Sequence, residues 1–266
     1  MSEWQPLAPG VWARQYPPFR MNVGLVVGDG ECLLIDTGAT EREGWSLRAD
    51  VAAVTRTDVA QVLNTHAHFD HCFGNATLRP AAIWGHERCA AHLRSGADRE
   101  RAHLLRWLPE AAGELDGVVL DPPDRLVGDA GAELEVGGRR VELRFCGRGH
   151  TDNDLLVVVP DAGVVFGGDL VEEGAPPVYG GDAFPLEWPA TLDRLLAAAP
   201  PTVVPGHGDV VGHRFVRGLR DQLAAMAELC RRVAAGDLPP GEAVRAAPFP
   251  GEVARDALAR AAVTAG

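Results

Sequence analysis

The sequence predicts an α/β fold, with two packed sheets or mixed layers that carry helices on the outside. Short β-favouring runs alternate with helical stretches along the 266 residues, in two batches. Hydrophobic residues make up 46% of the chain and charged residues 23%, which is the balance of a globular protein with a large core. The pattern alone does not separate these layers from a doubly wound sheet.

The first half of the chain alternates strands with helices. Runs rich in β-favouring residues and broken by Pro, Gly and Asp predict strands at 11–16, 21–28, 32–38, 59–65 and 81–86. Stretches with few breakers predict helices at 45–54 and 87–115. The strand VAQVLNT, at 59–65, leads directly into a histidine-rich segment.

The second half repeats the alternation and ends in helices. Strands are predicted at 139–147, 154–161, 163–169 and 201–209, and a helix at 189–199. Apolar residues then recur every three or four positions over 215–233, which predicts an amphipathic helix packed on the core, and one short helix follows 242. We therefore expect a main domain over 1–212 and a C-terminal helical extension over 213–266, packed together as one unit.

Charge and composition exclude several classes of function. The net charge of −12 disfavours nucleic acid and anionic membranes as partners, because phosphates would be repelled. No run approaches the roughly 18 apolar residues of a membrane span. The start, MSEWQPLAPG, lacks the positive and apolar regions of a secretory signal, so a cytoplasmic location is expected. A small molecule is the expected partner, and the sequence predicts no particular oligomeric state.

The segment NTHAHFDH, at 64–71, crowds four side chains that can bind metal into six positions: His66, His68, Asp70 and His71. On a helix, residues two apart point about 200° apart, and on a strand residue 71 would face away from the other three. A tight turn at the end of a strand brings all four together, and Gly74 and Asn75 fit such a turn. The segment therefore predicts a metal site in which four ligands could serve two ions.

Three more candidate ligands follow apolar strands and sit in Gly-rich turns. They are His150 in GRGHTDND, Asp169 in VVFGGD and His207 in VVPGHGD. Imidazole and carboxylate groups suit zinc, and also iron or manganese, while the lack of cysteine ligands argues against a closed structural zinc site. Seven ligands for two ions leave room for water, as a catalytic pair requires.

These motifs resemble the metallo-β-lactamase superfamily over most of residues 10–210. THAHFDH corresponds to the HxHxDH motif of the family, and the segments around 150, 169 and 207 stand in the family's order and spacing. LLIDTG, at 33–38, is similar to the strand whose aspartate, here Asp36, supports the site. The resemblance implies a four-layer αββα sandwich with the metals at one edge, followed here by the C-terminal helical extension.

The same resemblance implies a role for each site residue in a centre of two Zn²⁺ per chain. The first ion would be held by His66, His68 and His150, and the second by Asp70, His71 and His207, with Asp169 bridging. Asp36 would hydrogen-bond near the ligands and orient them. Tyr179, in the loop after Asp169, is a candidate for contact with substrate.

The predicted function is hydrolysis of an activated carbonyl substrate, such as an ester, thioester or lactone. Two zinc ions that share a water would lower its pKa, so that a bridging hydroxide attacks the carbonyl, while Asp70 carries the proton to the leaving atom. β-Lactams rank lower, because Glu172 stands where many β-lactamases carry a lysine for the carboxylate of the drug. The alternative from another class is a mononuclear iron dioxygenase acting on sulfur compounds.

Overall fold

The computed structural model of the protein describes residues 3–107, 109, 112–115 and 118–264. The strands are β1 Gln5–Ala8, β2 Val11–Tyr16, β3 Met21–Val27, β4 Cys32–Ile35, β5 Val59–Leu63, β6 Ala82–His86, β7 Arg125–Val127, β8 Ala132–Val136, β9 Arg139–Phe145, β10 Leu155–Val159, β11 Val164–Glu172 and β12 Thr202–His207. The helices are α1 Glu41–Val54, α2 Phe69–Cys72, α3 Glu87–Trp107, α4 Ala112–Leu115, α5 Trp188–Ala197, α6 His213–Ala234, α7 Pro240–Ala246 and α8 Gly251–Thr264.

The strands form two halves that meet at a seam. They connect in the order β7-β6-β5-β4-β3-β12-β11-β10-β9-β8, with β2 paired to β3 and β1 to β2. Across the seam, β3 meets β12 at the residue pair Met21 and His207. The strands of the first half from β4 to β7 are parallel. In the second half, β8 to β11 pair with one another in antiparallel fashion, whereas β11 and β12 are parallel.

Apolar side chains place the two halves face to face with helices outside. Val26 of the first half and Phe166 of the second are buried in one shared cluster between the sheets. The outer face of the first half packs against α1 through Leu47. The outer face of the second half packs against α5 and α6 through Leu192 and Leu223. Burial of apolar faces on both sides of each sheet gives four layers, so the predicted αββα sandwich is confirmed.

Three short strands escaped the sequence prediction. Gln5–Ala8, Arg125–Val127 and Ala132–Val136 pair at or near sheet edges, and many of their side chains are exposed or half-buried. Strands of three to five residues with partly polar sequences carry little apolar periodicity. Pairing with neighbouring strands, rather than a local sequence pattern, defines these three strands.

Helix α1 begins four residues before the predicted start at 45. Thr40 caps it, because the Thr40 hydroxyl accepts a hydrogen bond from the Glu43 backbone N–H at 3.2 Å. The Glu43 carboxylate in turn accepts from the Ala39 backbone N–H at 2.7 Å. This T-x-x-E arrangement satisfies free donors at the helix start, and it was readable from the sequence.

Two helices, α3 and α4, occupy the range 87–115, for which the sequence predicted one helical stretch. α3 covers Glu87–Trp107 and α4 covers Ala112–Leu115, while residues 108, 110 and 111 lie outside the described residues. At the C-terminus, α6 agrees closely with the helix predicted at 215–233, but the last stretch forms two helices rather than one. Residues of α5, before position 212, and of α6, after it, lie in one core cluster. The division into domains at residue 212 stays a prediction.

No helix within the described ranges is both long enough and apolar enough to cross a membrane. All five cysteines are free thiols and buried. The seam between the halves, where β12 ends, is the part of the fold that positions the candidate site.

Candidate metal centre

The histidine-rich segment occupies the turn after β5 and the single-turn helix α2. His66 and His68 lie in the turn, and Asp70 and His71 lie in the helix. Asn64 holds the turn closed, because its side-chain amide donates to the His71 backbone carbonyl at 3.1 Å. Neither a strand nor a helix alone brings the four side chains together, as the sequence indicated.

The structure brings the seven candidate ligands together in two adjacent groups. The first group is His66, His68, His150 and Asp169, and the second group is Asp70, His71 and His207. Within each group, the ligand atoms lie within 4.8 Å of one another. They come from the turn after β5, the helix α2, the turn after β9, the strand β11 and the end of β12, so both halves of the sandwich contribute.

Asp169 lies between the two groups. Its carboxylate oxygens are 3.5 Å from His150 Nε2 and 3.8 Å from His66 Nε2 in the first group. They are also 3.3 Å from His71 Nε2 and 3.4 Å from His207 Nε2 in the second group. A side chain in that place can contact a cation in either group or in both.

Outer hydrogen bonds fix which nitrogen faces inward in the rings of His66, His71 and His207. The Thr65 hydroxyl donates to Asp36, so its oxygen accepts from His66 Nδ1 at 3.1 Å and leaves His66 Nε2 facing the site. Asp36 also accepts from His71 Nδ1 at 2.8 Å. The Phe19 backbone carbonyl accepts from His207 Nδ1 at 2.9 Å. These bonds set the tautomer and orientation of each ring, as outer partners of metal-binding histidines do.

The remaining histidine of the motif is held differently. His68 turns its Nδ1 inward, where it lies 3.1 Å from His66 Nε2 and 2.9 Å from His150 Nε2. Its Nε2 faces outward and donates to Asp182 at 3.1 Å. The outer nitrogens, His66 Nδ1 and His68 Nε2, both carry the proton, so His66 Nε2 and His68 Nδ1 direct their lone pairs at each other. A cation or an extra proton must stabilise this arrangement.

Burial and mutual charge shift the pKa values of the site. Burial lowers the pKa of His66 well below its ordinary value and that of His150 to about 4. Burial opposes charge on His71 and His207 as well, but nearby carboxylates, first among them Asp169, raise the pKa of both rings well above the ordinary value. These imidazoles in turn hold the pKa of the buried Asp169 well below its usual range.

The residues fit metal ions. His71 Nε2 and Asp169 Oδ1 are both buried and come within 3.3 Å of each other, yet neither makes a hydrogen bond within the described part of the chain. Buried polar atoms of this kind need a partner, and a cation between them supplies one. The donor set of imidazole nitrogen and carboxylate oxygen matches what zinc, iron and manganese accept.

Comparison with known proteins decides the family. The family model of the metallo-beta-lactamase superfamily matches residues 16–207. This range is most of the chain and includes all seven candidate ligands. The chain belongs to the metallo-beta-lactamase superfamily. The resemblance inferred from the motifs is therefore confirmed.

Curated relatives within the superfamily carry different names. A metallo-beta-lactamase type 2 from Bacillus cereus is 28% identical over 192 residues, which cover 70% of this chain and 67% of that protein. A hydroxyacylglutathione hydrolase from Maricaulis maris is 27% identical over 195 residues, which cover 69% of this chain and 60% of that protein. The matches thus span about two thirds of the length of these relatives.

Solved structures of the superfamily share the fold. A metallo-beta-lactamase from Pontibacter korlensis aligns with a TM-score of 0.66 at 21% identity, covering 83% of this chain and 99% of that one. The metallo-beta-lactamase FIM-1 from Pseudomonas aeruginosa aligns with a TM-score of 0.68 at 19% identity, covering 90% of this chain and 97% of that one. At these identities the likeness establishes the architecture only.

Tyr179 belongs to neither group of candidate ligands. Its ring is buried and packs edge-on against Trp188 at 5.5 Å and Phe249 at 6.3 Å between ring centroids. Its hydroxyl is buried without a hydrogen-bond partner among the described residues. This is a packing position in the present structure, and a role in substrate contact stays a prediction.

Gly206 is required for the close approach of Asp169. A Cβ atom at position 206 would lie 1.8 Å from Asp169 Oδ1 and 2.9 Å from its backbone nitrogen. We expect Gly206→Ala to displace Asp169 and to lower the zinc content of the purified protein, measured by elemental analysis. Gly218→Ala on α6 is the matched control, because a Cβ there meets nothing within 4 Å. Equal zinc content in both variants would contradict the expectation, because it would show that zinc binding does not need Gly206 at this position.

Proposed function

We propose that this chain is a dizinc hydrolase that cleaves an ester, thioester or lactone. The observation that carries the proposal is the pair of adjacent ligand groups with Asp169 between them. Superfamily membership supports a metal-dependent hydrolase. The names of the relatives support it further, since both a β-lactamase and a thioester-cleaving type of enzyme occur among them.

The chemistry of the site depends on metal and on protein groups together. Zinc bound there would lower the pKa of water towards neutrality and polarise a carbonyl oxygen. The first group would hold one ion and the second group the other, with Asp169 within reach of both. A site built from five imidazoles and two carboxylates leaves coordination positions for water and substrate, unlike a closed structural site.

Asp70 is the residue that we assign to proton transfer. Its carboxylate lies 3.2 Å from His207 Nε2 and 3.7 Å from His71 Nε2. Burial opposes ionisation, but these imidazoles lower the pKa of Asp70, so that the group is a carboxylate at neutral pH. It can accept a proton from the attacking water and donate it to the leaving oxygen or sulfur.

The surroundings of the site favour substrates without a carboxylate near β11. Glu172 is buried at the end of that strand and accepts a long hydrogen bond, 3.4 Å, from the Val178 backbone N–H. Burial and the charge of Asp169 raise the pKa of Glu172 to about 8. Glu173 follows it and takes part in an ion pair with Arg20. Glu172 and Glu173 therefore offer no positive charge to the carboxylate of a β-lactam drug, and the guanidinium of Arg20 is already paired with Glu173.

A β-lactamase is the second candidate. It is favoured by the Bacillus cereus relative, whose match covers 70% of this chain. A mononuclear iron dioxygenase finds less support, because the second group is complete and lies beside the first. Metal content separates these classes: about two zinc ions per chain for a hydrolase, and one iron for the dioxygenase.

A substrate panel tests the proposal. Zinc-loaded protein is assayed on thioesters, esters, lactones, β-lactams and phosphodiesters, with metal content measured on the same sample. We expect turnover of at least one thioester, ester or lactone to exceed that of every β-lactam. His66→Ala is the control for contaminating enzymes, because it should lose metal and activity together. If only β-lactams are turned over, the proposed hydrolase of esters, thioesters or lactones is wrong and the chain is a β-lactamase.

A further inference from the structure

The ring of His68 depends on one outer hydrogen bond. The other four imidazoles of the site turn Nε2 inward, whereas His68 turns Nδ1 inward. Its side chain is also 14% exposed, compared with 0% for His66 and 2% for His150, so packing restrains it least within the first group. The hydrogen bond from Nε2 to Asp182 is what keeps the proton on the outer nitrogen and the lone pair on Nδ1.

Asp182 lies in the segment 173–187, between β11 and α5, where strand pairing does not hold the chain. The next residues anchor it. The Phe184 backbone N–H donates to the Gly149 carbonyl at 2.8 Å, one residue before the metal-binding turn at His150. The Ala183 carbonyl accepts from Arg260 Nε at 2.6 Å. The position of Asp182 is therefore set by the contacts of the two residues that follow it.

The anchor from Arg260 comes from the C-terminal extension. Arg260 lies on α8, and its guanidinium sits 5.5 Å from the centroid of the Phe184 ring. Arg231 of α6 adds a hydrogen bond to the Leu186 carbonyl at 3.2 Å. Two helices that follow residue 212 thus hydrogen-bond directly to the segment that carries Asp182.

We propose that Asp182 is a positioning residue for His68, and that Arg260 on α8 holds Asp182 in place. The C-terminal helices then set the affinity of the first group for its metal ion. The inference rests on the proposed dizinc site. It also gives the extension a purpose beyond covering the apolar face of the second sheet.

Zinc affinity, rather than turnover, is the decisive measurement. Zinc is titrated against a fluorescent chelator, with the wild-type chain expected to show two binding events. Asp182→Ala should weaken one event by about 10- to 100-fold, as loss of an outer carboxylate does, and leave the other within about threefold. Asp182→Asn keeps the shape and an acceptor oxygen but not the charge, so its loss should be smaller. The Co²⁺-substituted protein should show altered absorption bands in both variants.

Arg260→Ala should weaken the same binding event by about 3- to 10-fold, since one hydrogen bond to a carbonyl is lost. Combined with Asp182→Ala it should add little, because both changes release the same ring. Arg255→Ala, on an exposed position of the same helix, should match the wild type. Losses that multiply in the double variant overturn the link through Arg260.

The outcomes separate this inference from the proposed function. If Asp182→Ala binds both ions as tightly as the wild type, Asp182 has no positioning role, and the hydrolase proposal is untouched. If the wild-type chain binds no zinc, the dizinc site and this inference fail together. Loss of both binding events in Asp182→Asn, with an unchanged unfolding temperature, would also contradict a role confined to the first group.

Discussion

Stripping the metal with a chelator is expected to abolish hydrolysis of the best substrate, and zinc is expected to restore it. Lewis-acid and water-activating effects contribute several kcal/mol to the transition state, and each 1.4 kcal/mol is about tenfold in rate, so the loss should exceed about a thousandfold. The protein groups alone supply only positioning and proton transfer. The measurement is kcat/KM before removal, after removal, and after addition of zinc.

Metal removal is also expected to lower the unfolding temperature. The ring centroids of His66 and His71 are 4.2 Å apart, and those of His66 and His68 are 4.6 Å apart. Without a cation, these buried imidazoles share protons and repel each other, so a bound ion stabilises the native state by mass action. Addition of magnesium is the control, because Mg²⁺ prefers oxygen ligands and should restore neither activity nor stability. Full activity in a verified metal-free sample would contradict the metal-dependent mechanism.

The positions of the candidate ligands were predictable because each one follows a short apolar run. His150 lies in a glycine-containing turn after β9, His207 is the last residue of β12, between two glycines, and Asp169 follows two glycines within β11 rather than in the turn that the sequence predicted. Strand ends on one side of a sandwich converge on one edge, so residues distant in sequence meet there. Gly206 shows the physical cost of that convergence, since Asp169 occupies the space that a Cβ would need.

The outer partners of the histidines were predictable only in part. Asp36 was found because its strand carries a recognisable motif, and the structure places it 2.8 Å from His71 Nδ1. Asp182 was missed: it is 114 residues from His68 in the chain and lies in a segment without periodicity. The carbonyl of Phe19 could not be found from residue type, because every backbone offers such an acceptor.

The pairing of β3 with β12 at the seam could not be predicted from the sequence either. β12 lies beside β3, which is separated from it by most of the chain, and they meet at Met21 and His207. Apolar runs such as these strands show which segments are buried, but not which neighbour each one takes. The seam matters for function because it places His207 beside helix α2, which carries Asp70.

Asp70→Asn is expected to lower kcat by about 10²- to 10⁴-fold while the protein retains most of its zinc. An amide has the shape of the carboxylate and can still offer an oxygen to the second group, but it cannot accept and return a proton at neutral pH. The distances of 3.2 Å and 3.7 Å from Asp70 to His207 and His71 place the lost group at the centre of the site. Turnover and zinc content are measured on the same preparation.

The control and the leaving group make this test specific to proton transfer. Asp152→Asn changes a nearby carboxylate that accepts from Asn153 at 3.0 Å and lies in neither ligand group, so it should leave kcat unchanged. If Asp70 donates to the leaving atom, the Asp70→Asn defect should shrink for substrates whose leaving group needs no proton, such as a nitrophenolate. A defect of equal size for all leaving groups, in step with lost zinc, would assign Asp70 to metal binding alone. A defect that follows the basicity of the leaving group, at constant zinc content, would instead place the proton on Asp70 during bond cleavage.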